Sequence, residues 1–229
     1  MAADIVCSVT NSPSAAAVYD PSSHALQKYR SCLSSMSPTP TERLAGLVVS
    51  GSLARDITAT WAELDLPGRD ADAFSGALSQ AYAGHDTNDV LHGLRRENTR
   101  LFLGDRPLVE NSEGPWRKRA EGKRGAALMV NSYSVEVADF MLSCGIERRP
   151  GYNDCIDYVE NELGFAALLA ESPTYLAEQG KDALGLLEEF IAGHLKTWLP
   201  GFCADVVTQT RTLYYRAPCE LTSKLVNEL

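Results

Sequence analysis

Apolar residues recur every three or four positions along most of this chain, a spacing typical of amphipathic helices. The first clear run begins at Leu44, after Thr41, which follows Pro40 and is predicted to cap the helix. Its apolar positions are Leu44, Leu47, Val48, Leu53, Ile57 and Trp61. The pattern predicts one helical run that continues to a break at Leu66–Asp70.

The same periodicity predicts further helices down the chain, separated by segments rich in glycine, proline and charge. The third helix starts after DTND, where Asn88 or Asp89 is the predicted cap, and Pro200 and Gly201 should stop the penultimate one. Residues 104–124 and 148–153 are predicted to be breaks. The predicted helices are 23–35, 71–82, the helix after Asp86–Asp89, 134–145, 156–170, 182–199 and 203–215.

These patterns predict an all-α protein. Alternating strands of useful length and a repeat of fixed period are both missing from the sequence. We expect a single helical-bundle domain over residues 23–229, with eight to ten helices in two loosely defined lobes joined by a hinge near 148–157. Residues 1–22, rich in Ser, Ala and Pro, should form a flexible N-terminal arm.

Composition and charge exclude some classes of function and favour others. The net charge of −9 argues against nucleic-acid binding and suits a basic partner, such as an arginine-containing peptide, or simply solubility. The six cysteines show no CxxC pair, so we interpret them as reduced thiols and expect no metal and no cofactor. A signal peptide and an apolar span are not evident, which predicts a cytoplasmic protein without membrane insertion.

Enzyme motifs are not found either. The sequence contains no GxxxxGK[ST], GxGxxG after a strand, HExxH or GxSxG. The four histidines are scattered, and His194 is interpreted as a half-buried packing residue. Phe190, Trp198 and Tyr214, at helical spacing, are predicted to be core aromatics.

Two segments have more specific features. In ENTRLFLG, Glu97 and Arg100 stand beside Leu101 and Phe102. This is either a helix end with its apolar edge in the core or one wall of a groove for an apolar, arginine-bearing peptide. In DYVENELGFAALLAE, the carboxylates form either a solvated face or contacts to peptide arginines; general acid–base catalysis is discounted because no nucleophile or metal accompanies them. These carboxylates are Asp157, Glu160, Glu162 and Glu171.

The order of these segments resembles the TorD/DmsD/NarJ family of redox-enzyme maturation chaperones over roughly residues 40–216. ENTRLFLG matches a family motif with Leu-Phe-x-Gly and is followed by Pro115-Trp116. Asp157-Tyr158 stands at the family's hinge motif, ahead of a helix with Glu162, Leu163, Phe165 and Leu169. The last motif is reproduced by Phe190, His194-Leu195 and Trp198-Leu199-Pro200. Tyr158 replaces the usual histidine, and neither Glu97 nor Thr99 reproduces the aromatic residue often found there.

The resemblance implies a chaperone without catalysis. It would bind the N-terminal signal peptide, typically a twin-arginine one, of an apo molybdoenzyme catalytic subunit until cofactor insertion, as a monomer or a lobe-exchanged dimer. Leu101, Phe102 and Trp116 would line the apolar groove, beside Arg100 and Tyr158. Asp157, Glu162 and Glu97 would face the peptide's arginines.

Three alternatives stay open. The first is a nitrate-reductase-type chaperone that serves an enzyme kept on the cytoplasmic side. The second is a helical enzyme with a cysteine or carboxylate site. The third is a helical transcription regulator, against which the lack of a basic recognition helix near the N-terminus counts.

Overall fold

A computed structural model describes residues 39–63, 71–104, 107–122, 130–146, 155–171, 173–178 and 180–228. Every regular element in these ranges is helical, which confirms the predicted all-α class. The helices are α1 (Glu42–Val49), α2 (Ser52–Glu63), α3 (Ala71–Tyr82), α4 (Thr87–Phe102), α5 (Glu113–Ala120), α6 (Ser132–Ser143), α7 (Val159–Glu171), α8 (Pro173–Glu178), α9 (Ala183–Phe190), α10 (Lys196–Gln209) and α11 (Leu213–Glu228). The predicted arm 1–22, the predicted helix 23–35 and most of the predicted hinge lie outside the described residues.

The first two helices show one correct prediction and one error. Thr41 caps α1 as predicted, because its Oγ1 accepts a 3.3 Å hydrogen bond from the Leu44 amide. The single continuous run from Leu44 is wrong. Gly51 has a φ of +70°, a left-handed conformation that ends α1 and starts α2 at almost no cost for glycine.

The cap of α4 lies two to three residues earlier than predicted. Asp86, rather than Asn88 or Asp89, caps the helix, and its Oδ1 accepts from the amides of those two residues at 2.8 and 3.3 Å. Asp86 keeps an extended backbone (φ −67°, ψ 138°), so the two residues proposed as caps already belong to the first helical turn.

The prediction of a loop over residues 104–124 is wrong, because this stretch contains α5. Pro115 falls in the first turn, where its missing N–H is not needed for an intrahelical bond. The Ser112 side chain makes no capping bond. Instead Asp157, 43 residues away, accepts a 2.9 Å hydrogen bond from the Gly114 amide, so the cap is a tertiary contact.

The C-terminal helices also differ from the prediction. Pro200 does not stop the helix, which continues to Gln209 after a five-residue π-helical segment, Ile191–Leu195, that joins α9 to α10. Pro200 has no N–H to donate to the carbonyl of Lys196, four residues earlier. The widened π-helical segment ends directly before Lys196. The predicted helix 203–215 is interrupted at 210–212, and α11 then runs to Glu228.

The core centres on the packing of α10 against α11. Phe102 of α4 contacts both of these helices, and Glu162 of α7 bonds to Trp198 of α10. Phe190, Trp198 and Tyr214 have no exposed surface, as predicted for core aromatics. His194 packs its ring against Phe190 with centroids 4.9 Å apart, which confirms its packing role, although it is buried rather than half-buried. This core brings the start of α5 against the π segment and α10, where the candidate site lies.

Candidate functional site

Three carboxyl groups with no exposed surface meet at the start of α5: Glu113, Asp157 and Glu162. They come from α5, from the segment that precedes α7, and from α7 itself. Burying charged groups is unfavourable unless each is paired or neutralised. The contacts of each carboxyl group therefore define what this cluster can bind.

Asp157 ties the segment before α7 to the N-terminus of α5. Its carbonyl accepts from the Glu113 amide at 2.9 Å, and its Oδ2 accepts from the Gly114 amide. The half-buried Tyr158 forms an isolated antiparallel bridge with Ser112. Burial raises the pKa of Asp157, an effect that the nearby Glu113 reinforces and the Gly114 amide opposes. Asp157 Oδ1 has no hydrogen-bond partner among the described residues.

Glu162 is the most strongly perturbed acid in the described part of the chain. Its Oε2 accepts a 2.9 Å hydrogen bond from Trp198 Nε1. Burial raises the pKa of Glu162 well above its usual value, and the charges of Glu113 and Asp157 raise it further. Burial and the two neighbouring carboxylates therefore all favour the protonated form of Glu162.

Glu113 is the centre of the cluster. Its Oε1 forms a 2.8 Å ion pair with Arg117 Nη1, and its Oε2 lies 2.9 Å from His194 Nδ1. The Thr197 hydroxyl donates a longer bond of 3.4 Å to Oε1. Glu113 was not among the predicted site residues, because residues 104–124 were predicted to be a loop. Its position before Pro115 and four residues from Arg117 is a helix-start signal that indicates it.

Trp116 lies at the outer edge of this cluster. It is half-buried, its Nε1 donates a 2.9 Å bond to the exposed Asp205, and its ring centroid lies 6.4 Å from that of Trp198. The ring also lies against Gly201, where a Cβ would overlap it. Trp116 thus connects the buried acids with the surface of α10.

Leu101 and Phe102 lie in the core. Leu101 is fully buried, and Phe102 is 7% exposed between Phe202 and Tyr215, with ring centroids 6.2 and 5.8 Å away. The structure therefore places them as the apolar edge of a helix end rather than on an open groove wall. Beside them, Leu103 and Leu108 are 50% and 45% exposed.

Glu97 and Arg100 form a separate unit on α4. They make a 2.7 Å ion pair, Glu97 also accepts from the Arg211 amide at 2.7 Å, and Arg100 donates to the Gln209 carbonyl at 2.6 Å. Burial raises the pKa of Glu97, but the bonds from Arg100 and Arg211 outweigh it and hold the pKa below its usual value. The pair closes the interruption between α10 and α11, and it lines a cleft of about 530 Å³ beside Tyr82.

The structure thus brings four of the eight predicted site residues together and leaves four elsewhere. Trp116, Asp157, Tyr158 and Glu162 form one site around Glu113. Leu101 and Phe102 belong to the core, and Glu97 and Arg100 to the break between α10 and α11. Within the described ranges, no three His, Cys, Asp or Glu side chains are arranged to hold a metal ion. The helices in those ranges include none long and apolar enough to cross a membrane.

Residues 68–204 match the family model of the nitrate reductase delta subunit. That range is more than half of the chain and contains all eight predicted site residues. The chain belongs to this family. Membership confirms the resemblance to the TorD/DmsD/NarJ chaperones and makes this family member an assembly chaperone for a molybdoenzyme. A search of curated proteins finds no match. Membership of this family also favours an assembly chaperone over the alternative of a helical enzyme.

Proposed function

We propose that this chaperone binds the N-terminal segment of a molybdenum-containing oxidoreductase subunit, in the form of a twin-arginine signal peptide. It holds the segment in the cytoplasm until the cofactor is inserted and the subunit is assembled. The buried cluster of Glu113, Asp157 and Glu162 beside Trp116 is the observation that carries this proposal.

The chemistry of the cluster suits an arginine. A guanidinium donates several hydrogen bonds in a fixed plane and remains charged when it is partly buried. Two oxygens of the cluster, Asp157 Oδ1 and Glu162 Oε1, have no partner among the described residues. A net charge of −9 also attracts a cationic segment at long range.

The apolar part of the peptide would bind next to this cluster. Leu103 and Leu108 are exposed, and Leu103 directly follows the buried Phe102. An apolar run of the peptide would contact these two exposed leucines. Trp116 supplies an aromatic surface on the way to the acids.

The nitrate-reductase type is the second candidate, favoured by the description of the matched family. Such a chaperone would use the same site for an N-terminal segment of an enzyme that stays on the cytoplasmic side. Co-purification with the catalytic subunit, and the presence or absence of paired arginines at its N-terminus, distinguishes the two.

Titration calorimetry tests the proposal with a synthetic peptide that carries two adjacent arginines followed by an apolar run. We expect binding that weakens as salt rises, and loss of binding when both arginines are replaced by glutamine. Trp116→Ala should weaken binding, whereas Leu184→Ala, at an exposed leucine on α9, should not. The proposal fails if neither this peptide nor the N-terminus of a nitrate reductase catalytic subunit binds at low salt.

A further inference from the structure

Arg117 pairs with the buried acid cluster and is itself partly exposed to solvent. Its side chain is 23% exposed, while that of its partner Glu113 is completely buried. The guanidinium carbon also lies 4.1 Å from the centroid of the Tyr133 ring, which makes a cation–π contact. The Tyr133 hydroxyl donates a 2.7 Å bond to Glu121, which helps to hold the ring.

This arrangement is a complete guanidinium-binding site. A buried carboxylate receives the charge, an aromatic ring lies 4.1 Å from the guanidinium carbon, and the Arg117 side chain stays partly exposed to water. The same α5 carries Trp116, and the helix start is held by Asp157. An arginine from outside could therefore make the contacts that Arg117 makes, by approaching along the same exposed path.

We infer that this place, the Arg117 seat formed by Glu113 and Tyr133, receives an arginine of the bound N-terminal segment, and that Arg117 occupies it as an internal competitor until the segment arrives. The inference rests on the proposed function and adds Tyr133 to its binding residues. Arg117 would then lower the affinity of the empty chaperone for weakly matched segments and swing into solvent when the correct one binds.

The groups that face the seat support exchange of one arginine for another. Around the Glu113 carboxyl lie the side chains of Glu162 from α7, Asp157 from the segment before α7, and His194 from the π segment. Among the described residues, Glu113 is the one acid that forms an ion pair with Arg117. Replacement of Arg117 by an incoming arginine leaves the charge of this buried cluster unchanged, which avoids the cost of an unpaired buried carboxylate.

The other internal ion pair, Glu97 with Arg100, is not suited to such an exchange of arginines. Arg100 also donates to the Gln209 carbonyl, and Glu97 also accepts from the Arg211 amide. These bonds hold the interruption between α10 and α11 together. Removal of Arg100 would therefore disturb the fold, whereas the Arg117 side chain makes no hydrogen bond to the described residues beyond that to Glu113.

The test compares Arg117→Ala with the matched control Arg119→Ala, which removes a more exposed arginine of the same helix paired to Glu110. Binding of the twin-arginine peptide is measured by calorimetry with both variants and the parent chain. If Arg117 fills the seat most of the time, its removal should tighten binding about tenfold. The control should leave binding unchanged. The gain should disappear when the peptide's arginines are replaced by lysine, which cannot stack in the same plane.

A small probe examines the seat without the peptide. Ethylguanidinium at millimolar concentration should raise the thermal midpoint of Arg117→Ala and leave those of the parent chain and Arg119→Ala unchanged. Should Arg117→Ala not fold, Arg117→Met keeps the apolar stem over Tyr133 without the charge and serves in both measurements.

The outcomes separate the two proposals. Peptide binding by the parent chain without a gain in Arg117→Ala overturns the seat and leaves the proposed function standing. Absence of binding by every variant at low salt overturns the proposed function, and the inference falls with it. A probe that stabilises the parent chain, Arg119→Ala and Arg117→Ala equally also overturns the seat.

Discussion

Trp198 Nε1 donates a 2.9 Å hydrogen bond to Glu162 Oε2, and neither side chain has any exposed surface. This bond connects α7 to α10 inside the core and satisfies one oxygen of a buried acid. Trp198→Phe removes the donor and keeps most of the ring volume. We expect a loss of about 1–3 kcal/mol in the free energy of unfolding, measured with urea, because a buried acceptor loses its partner.

Trp116→Phe provides the matched control. It removes the same type of donor, but the Trp116 bond goes to the exposed Asp205, which water can satisfy instead. The loss in the free energy of unfolding should stay below about 1 kcal/mol. Equal losses in the two variants would show that the indole N–H of Trp198 has no special role in the core.

Gly201 lies against the outer part of the Trp116 ring. A Cβ at this position would overlap that ring, so Gly201→Ala should rotate Trp116 away from Asp205. We expect a destabilisation of about 1–3 kcal/mol from overpacking, partly offset by alanine's higher helix propensity, together with a shift in tryptophan fluorescence. Gly93→Ala, in α4 with nothing within 4 Å of its Cβ, should instead stabilise by about 0.5–1 kcal/mol. A stabilised Gly201→Ala would contradict the contact.

Local signals in the sequence were sufficient for much of the helical pattern. Thr41 has the residue type and the position of a helix cap, and Phe190, Trp198 and Tyr214 follow the periodicity of a buried face. These features depend on neighbours within one or two turns. The same holds for the all-α class, since it follows from the spacing of apolar residues alone.

The errors concern features that depend on distant residues. The cap of α5 is Asp157, which no local pattern around Ser112 indicates. Pro200 is tolerated because the preceding π segment rearranges the helix, a feature that periodicity does not show. The acid cluster forms only when α5 packs on α7 and the π segment, so the sequence could suggest Asp157 and Glu162 but not their meeting at Glu113.

The cysteines provide a test of the remaining enzyme alternative. Those in the described ranges are buried, and burial raises the pKa of Cys144 and Cys219. A thiolate nucleophile needs the opposite shift. We expect Cys144, Cys155, Cys203 and Cys219 to react with maleimide only after unfolding, as followed by mass spectrometry of the labelled peptides. Rapid labelling of one of them in the folded protein would favour the helical-enzyme alternative.

Glu97 should make stability depend on pH on the acid side. Its pKa is held below the usual value of 4.5, so its contribution is complete above pH 4.5 and is lost as the pH falls through the lower folded value. Glu97→Gln should cost about 1–3 kcal/mol at pH 7. The difference from the parent chain should shrink below pH 4. Glu136→Gln, at an exposed position on α6, should change urea unfolding little at either pH.

Glu162 should make stability depend on pH in the opposite direction, so that stability falls as the pH rises. Its folded pKa lies well above 4.5, so the unfolded chain releases this proton first as the pH rises. The parent chain therefore loses stability from about pH 4.5 up to the folded pKa, by about 1.4 kcal/mol for each pH unit inside that window.

Glu162→Gln is neutral at every pH; its amide oxygen can accept from Trp198 and its amide N–H can donate to Glu113. Urea unfolding at pH 4 should give similar free energies for the two proteins, and at pH 8 Glu162→Gln should be the more stable. The Asp157 carboxyl is present in both proteins, so its similar dependence largely cancels in the comparison. A variant that is less stable than the parent at pH 8 would mean that Glu162 is needed as a charged group, and the neutral acid in the cluster would have to be abandoned.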